Sequence, residues 1–323
     1  MKGKVLITGS NGQLGQCFKE VAKNNSNYIF TTREDFNIKD IEMMRKYLEN
    51  SRDIKFIVNC AAYTNVKKAE TSEFILAMLV NSEGPRNLAK ICDEFGIYLV
   101  HIGTEYIMDI DSYKHNNIPL NENNFNEFVI NRHKDKNYYG EWHNLDINNY
   151  GFSKSYGIYN MMKEFGDNEN YVTIITSWLF SEFGENFVKT MYNRIKSGLD
   201  TEVVYTQVGS PTYAMDLARY IYDTIENNDG KFVEDGVHFI NFSNLGTASW
   251  YDVAKMVDIF EKSNKIHPRN EPFDDIIRPI YSVLNLERIK NQCGNKKYIR
   301  HWVNALNDCL KEIKYKEKKN NKI

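Results

Sequence analysis

"LITGSNGQLGQCF", residues 6–18, sets the reading of the rest of this chain. A short apolar run ends in three glycines, Gly9, Gly12 and Gly15, and a helical pattern follows at once. A strand running into a glycine loop that opens a helix is the setting in which such glycines hold the pyrophosphate of a dinucleotide. Each glycine has its own reason to be there. Gly9 permits the tight turn off the strand, Gly12 lets the backbone approach the phosphates, and Gly15 lets the helix pack closely on the sheet. Free N–H groups at the helix start then face the phosphates.

The flanking chain continues the same rhythm. Val5–Thr8, Tyr28–Thr32, Phe56–Cys60, Tyr98–Ile102 and Tyr171–Thr176 are short apolar runs expected as strands. Leu14–Val21, Ile41–Leu48, Phe74–Cys92 and Tyr150–Phe165 carry apolar residues at helical spacing. Strands that alternate with helices and are apolar throughout predict an α/β fold with a doubly wound parallel sheet, covered on both faces. Further on, "EVVY" (202–205) and "VHFINF" (237–242) read as strands. Helices are expected near Ala214–Glu226, in "SWYDVAKMVDIF" and near His301–Ile313. Residues 111–149, rich in Asn, Asp and His, break the rhythm and read as an insertion loop, either a surface excursion or a lid. The charged end "KEIKYKEKKNNKI" reads as a frayed terminus.

Composition narrows the function. The chain has 323 residues, 42% of them hydrophobic, and a formal net charge of −2, which argues against broad affinity for nucleic acid or anionic membranes. No apolar run approaches the roughly 18 residues of a membrane helix. Five scattered cysteines without a CxxC pair suggest reduced thiols and a cytoplasmic location. No metal-ligand cluster is visible, and His101, set in an apolar strand, is expected in the core.

The end of the second strand bears on cofactor choice. An acidic residue there would bind a ribose 2′-hydroxyl and repel a 2′-phosphate. Thr32 holds that place and Arg33 follows, which favours NADPH, with NADH as the alternative. "NCAAYT" (59–64), at the end of the third strand, offers small residues that let a cofactor lie close.

A Tyr with a Lys four residues later places both on one helix face. The Lys ammonium favours the phenolate, so the Tyr can serve as a proton donor to a carbonyl oxygen. YxxxK occurs six times, and only Tyr150/Lys154 and Tyr159/Lys163 lie on the helix between the fourth and fifth strands. Tyr150 opens that helix and is the expected donor. Thr104, ending the fourth strand in "VHIGTEY", is its expected hydrogen-bonding partner.

The glycine spacing resembles the extended branch of the short-chain dehydrogenase/reductase superfamily. "NCAAYTNVKKAE", "VNSEGPRNLA", "LVHIGTEYI", "NNYGFSK", "TSWLF", "QVGSPTYAMDLA", "SWYDVA" and "RPIYSVLNLERI" follow in order, and together they resemble the dTDP-4-dehydrorhamnose reductase family. That resemblance implies a Rossmann-type domain over 1–179 and roughly 212–243. It implies a smaller C-terminal α/β domain for the nucleotide sugar over roughly 180–211 and 244–315, with 316–323 as a charged tail. It implies NAD(P)H-dependent reduction of a dTDP-4-keto-6-deoxy sugar, and allows a homodimer. By motif position, Thr104, Tyr150 and Lys154 would be catalytic, and Glu105, Tyr106, Trp178 and Asn186 would face the sugar. Gly9, Asn11, Gly12, Gln13, Leu14, Gly15, Arg33, Asn37, Ile38, Cys60, Ala61, Ala62, Tyr63 and Lys154 would hold the cofactor. Glu105 stands where the family usually has Asp, Lys67 likewise replaces an Asp, and Thr206 another. An epimerase or dehydratase of the same branch, or a non-catalytic cofactor-binding subunit, stays open as an alternative.

Overall fold

The computed structural model describes residues 3–108, 119–122, 125, 129–130, 133, 147–228, 230–234, 236–293 and 296–320. Five strands, β1 (Lys4–Thr8), β2 (Tyr28–Phe30), β3 (Ile54–Asn59), β4 (Tyr98–Thr104) and β5 (Tyr171–Thr176), join Phe239–Asn241 in one sheet. All neighbours are parallel, in the order Phe239–Asn241, β5, β4, β3, β1, β2. The chain leaves β1 toward β2 and then crosses back to β3 on the other side. Open parallel sheets bind ligands at such a reversal, beyond the carboxyl ends of the strands.

Alternate residues of β1, β3 and β4 feed two different cores, as a strand's two-residue period requires. Val5, Ile7, Val58 and Val100 pack with Cys17 and Phe18 of the helix Gln13–Val21 and with Leu217 and Ile221 of Ala214–Asn227. Leu6, Ile57 and Leu99 pack with Met44 and Leu48 of Ile41–Glu49, Leu88 and Ile91 of Gly84–Phe95, and Met161 of Asn149–Phe165. The uninterrupted apolar strands are thus the signature of a sheet covered on both faces.

Smaller sheets lie beyond the C-terminal edge of this layer. Thr201–Val204 pairs with Ile266–Arg269, and Val208–Gly209 lies between Ala248–Ser249 and Tyr281–Ser282. The helices Phe187–Lys196 and Trp250–Phe260 accompany them. Ser249 and Asp252 form a reciprocal capping box at the start of the latter, which explains why "SWYD" begins a helix.

Three expectations change. The stretch expected as one helix over Phe74–Cys92 is Phe74–Met78, a π-helical turn Leu79–Glu83, and Gly84–Phe95. Pro85 lacks an N–H and falls where the last segment begins, so the break costs no further hydrogen bond there. The charged C-terminus is helical: Trp302–Asn320 is one helix. Glu317 holds it down by accepting from the Tyr192 hydroxyl at 2.9 Å and from Lys196 at 2.7 Å. Charge patterning alone could not show partners so distant in sequence.

Most of the 111–149 insertion lies outside the described residues, including Phe128, Tyr138, Tyr139 and Trp142. Glu122, Phe125, Val129 and His133 are described, and all four are helical and buried, at the spacing of one helix face. Phe125 is fully buried and stacks on Phe239, with centroids 6.4 Å apart. His133 meets the Ser155 hydroxyl at 2.9 Å. These four residues belong to the core, not to a surface loop or a lid. Phe125→Ala should therefore destabilise the protein by about 3–5 kcal/mol, the usual cost of emptying a buried Phe site. Denaturant unfolding monitored by circular dichroism measures this, and a loss under about 1 kcal/mol would mean that the stacked site is not part of the cooperative core.

Candidate active site

Gly9 adopts φ +59°, and a Cβ there would lie 2.8 Å from the backbone of Ala61. A Cβ on Gly15 would meet the Gly9 carbonyl oxygen and the Ser10 backbone at 2.5 Å. Both glycines are therefore required by space, one by its turn and one by its packing. The helix Gln13–Val21 starts at Gly12 with no side-chain cap, which leaves its first N–H groups for an anion. Gln13 reaches across to donate to the Leu179 carbonyl at 3.2 Å. Asn11, at the tip of the loop, accepts from Lys19 at 3.0 Å.

Two cavities meet at this loop. The smaller, about 330 Å³, is bounded by Gly9, Gly12, Arg33, Asn37, Ile38 and the run Cys60–Tyr63. Leu76 and Val80 close its far side as an apolar wall. Arg33 is mostly exposed at its rim, with Glu34 beside it at 3.6 Å. An acid does occur near the end of β2: Asp35 accepts from the Thr32 N–H at 2.9 Å and the Thr32 hydroxyl at 2.8 Å. Those bonds hold its carboxyl below the usual range and commit it to the turn.

The larger cavity, about 560 Å³, runs from Gly12, Gln13 and Leu14 past Cys60–Ala62 to Thr104, Glu105, Tyr106, Tyr150 and Lys154. Trp178, Asn186 and Trp250 lie on its opposite wall. Uncapped helix start, glycine cradle and small-residue floor together fit a dinucleotide whose reactive end would reach Tyr150.

The helix Asn149–Phe165 carries the Tyr and the Lys. Asn148 caps it by accepting from the Gly151 N–H at 2.7 Å, and Glu70 accepts from the Asn149 N–H at 2.5 Å. Gly151 passes so close to the Tyr106 carbonyl that no Cβ would fit. Lys154 donates to the Ile102 carbonyl of β4 at 2.7 Å, and burial pulls its pKa down to about 8. Tyr150 is pushed up by burial and by the nearby Glu105, while its Thr104 hydrogen bond works the other way. Thr104 donates to Glu105 Oε2 at 2.9 Å, and burial pushes Glu105 up to about 8. Glu105 is therefore largely protonated at neutral pH. Tyr106 packs edge-on against Tyr150, with ring centroids 5.4 Å apart. The competing Tyr159 lies elsewhere, stacked on Tyr156 and against His133.

On the opposite wall Trp178 takes φ +44°, rare for a bulky residue, and stacks on Trp250 with centroids 3.6 Å apart. A Cβ on Gly209 would strike the Trp178 ring at 2.6 Å, so the glycine of "QVGSPT" makes room for this stack. Asn186 lines the cavity, but its carboxamide is engaged within the protein. It accepts from the Lys189 N–H at 3.1 Å and donates to the Ser181 and Phe183 carbonyls at 2.8 and 3.2 Å. Its geometry is that of a helix cap. His101 is a buried core residue against Asn59, as expected.

Sequence reading missed Asn81. The π-helical turn puts its side chain where it accepts from the Tyr63 N–H at 2.8 Å and donates to the Tyr63 carbonyl at 2.9 Å. The same amide donates to the Ser153 hydroxyl at 3.0 Å, and Ser153 donates to the Tyr150 carbonyl at 2.7 Å. The interrupted helical period around Gly84-Pro85 was the one available signal.

Comparison with known proteins agrees with this geometry. The family described as the RmlD substrate binding domain matches residues 3–315. A dTDP-4-keto-6-deoxy-D-glucose reductase of Streptomyces niveus is 30% identical over 311 residues, covering 95% of this chain and 96% of that protein. A dTDP-4-dehydrorhamnose reductase of Mycolicibacterium smegmatis is 29% identical, over 97% of this chain and 86% of that one. Among solved structures, a dTDP-4-dehydrorhamnose reductase of Bacillus anthracis in complex with NADP superposes with a TM-score of 0.77 at 28% identity. That match covers 96% of this chain and 99% of the other. The glycine cradle, the Tyr150–Lys154 pair facing it and these full-length matches agree: the chain belongs to the dTDP-4-dehydrorhamnose reductase family, and so to the NAD(P)H-dependent nucleotide-sugar reductases.

Proposed function

We propose that this protein reduces the C4 keto group of a dTDP-linked 4-keto-6-deoxy sugar, dTDP-4-dehydrorhamnose above all, with NADPH as the reductant. One observation carries the reading: Thr104, Tyr150 and Lys154 line the same cavity as the glycine loop. NADPH supplies the hydride. Tyr150 gives its hydroxyl proton to the developing alkoxide. Thr104 holds that hydroxyl and the carbonyl oxygen in line. Lys154, fixed on the Ile102 carbonyl, stabilises the phenolate left behind. Protonated Glu105 keeps a second negative charge away from that phenolate. Trp178 and Trp250 shut water out on the opposite side.

Tyr150→Phe keeps the ring and removes the donor. NADPH binding should persist, and keto-sugar reduction should fall by about 100- to 10,000-fold. Tyr159→Phe should change turnover little. Stopped-flow NADPH oxidation with 4-keto sugar nucleotides tests both, and the reverse pattern would overturn the assignment.

Arg33→Ala should weaken NADPH by roughly 10- to 150-fold, the scale of one charge-assisted hydrogen bond, and leave NADH nearly unchanged. Fluorescence titration with each cofactor measures the difference. Equal loss for both would remove Arg33 from 2′-phosphate recognition.

Reduction should also weaken as pH rises through about 8. Lys154 has its pKa lowered to about 8, so it loses its charge there, and Glu105 has its pKa raised to about 8, so it gains one. Both changes disfavour a phenolate on Tyr150. Glu105→Gln should keep activity at pH 7 and show a shallower alkaline limb. A profile identical to wild type would mean that Glu105 does not ionise in the working site.

A further inference from the structure

Beyond the catalytic cavity lies a second one, about 710 Å³, within the usual range of ligand sites. Tyr106, Phe187 and Trp250 line both. A sugar held against Tyr150 would send its anomeric substituent past this shared wall. Three other charged residues that line the second cavity are already committed to partners within the protein. Arg194 donates to the Thr201 hydroxyl at 2.8 Å, Asp200 is paired with Lys265 and His267, and Glu202 with Arg269. Arg269 in turn lies over the Phe273 ring, 4.2 Å from its centroid. Phe273 lines this cavity and is 70% exposed, with Arg269 over one face of its ring.

Arg278 is different. Its guanidinium is gripped at both ends by the carboxylate of Asp274, one turn away, the longer contact being 3.1 Å. This is the fork geometry with which Arg also binds phosphate. Tyr106, on the shared wall, lines this cavity with Arg278 and lies close enough to act on its charge. Lys67, which stands where the family usually has an acid, also acts on the Asp274 carboxylate.

We propose that Asp274 is a stand-in anion: it occupies on Arg278 the place that the diphosphate of the nucleotide sugar takes when substrate enters. This deepens the substrate reading above and rests on it. The incoming diphosphate displaces the carboxylate, Lys67 receives Asp274, and Arg278 keeps its place beside Tyr106. The exchange trades one ion pair for another, so the cation is never left bare in the free protein. The exposed Phe273 ring then offers a stacking face to the base.

The test is calorimetric titration of dTDP into wild type, Asp274→Asn and Arg278→Met, with NADPH titrated into the same samples. Removing the competing charge should tighten dTDP about three- to tenfold in Asp274→Asn. Arg278→Met should weaken it by about tenfold or more. NADPH affinity should be equal in all three, which shows that the variants are folded. Weaker dTDP binding in Asp274→Asn would mean that Asp274 orients Arg278 for substrate, and the stand-in inference falls. Unchanged binding in both variants also overturns it, while the dTDP-sugar reading survives. Wild type that binds NADPH but no dTDP would overturn the inference and the substrate reading together.

Discussion

The carboxamide of Asn81 is the constraint on which the site depends. It satisfies both backbone groups of Tyr63 and reaches the Ser153 hydroxyl, which in turn donates to the Tyr150 carbonyl. One buried side chain thereby joins the run Cys60–Tyr63 to the helix that carries Tyr150 and Lys154. A regular α-helix through residues 79–83 would rotate that amide away. The π turn supplies the extra residue, and Gly157 lets the helix Asn149–Phe165 lie directly on the Asn81 carbonyl, where any Cβ would collide. π turns are rare and tend to mark functional sites, in keeping with this one.

Burial governs the chemistry as much as position does. Thr104, Glu105 and Lys154 are all buried, and desolvation pushes each ionisable group toward its neutral form. Glu105 yields to that pressure and stays protonated. Lys154, with its carbonyl partner on β4, keeps enough affinity for its proton to remain mostly charged at neutral pH. The result is one cation, one neutral acid and one phenol lining the same end of the cavity. The longer arm of Glu105, compared with the usual Asp, is accommodated with its carboxylic acid against the Thr104 hydroxyl at the cavity wall.

The layered fold was readable in the sequence because apolar strands and glycine spacing are local signals. The helix Asn149–Phe165 was legible the same way, and the structure places Tyr150, not Tyr159, in the cavity. What escaped depends on contacts between distant segments. The break at residues 79–83 arises where the helix must meet Gly157 and Tyr63, and the composition of "LVNSE" gives no sign of it. The helical C-terminus depends on Tyr192 and Lys196, more than a hundred positions earlier. Asn186 lines the cavity, as motif position implies, and its amide also caps a helix, a contact that only three-dimensional neighbours reveal. Arg278 sat within a recognised motif, but its alignment with Tyr106 follows from the packing of a remote loop.

The edge strand Phe239–Asn241 has a wider consequence. On one side it pairs with β5. On the other, the Asn241 N–H donates to Glu122 and the Phe239 carbonyl accepts from Arg288 at 2.9 Å. Side chains thus consume the backbone groups that would otherwise template another strand. Open parallel edges invite intermolecular pairing, and proteins suppress it with charge or cover. Here the inserted segment supplies one of the two plugs. Glu122 of an insertion that interrupts the sequence pattern thereby helps to end the sheet at Phe239–Asn241.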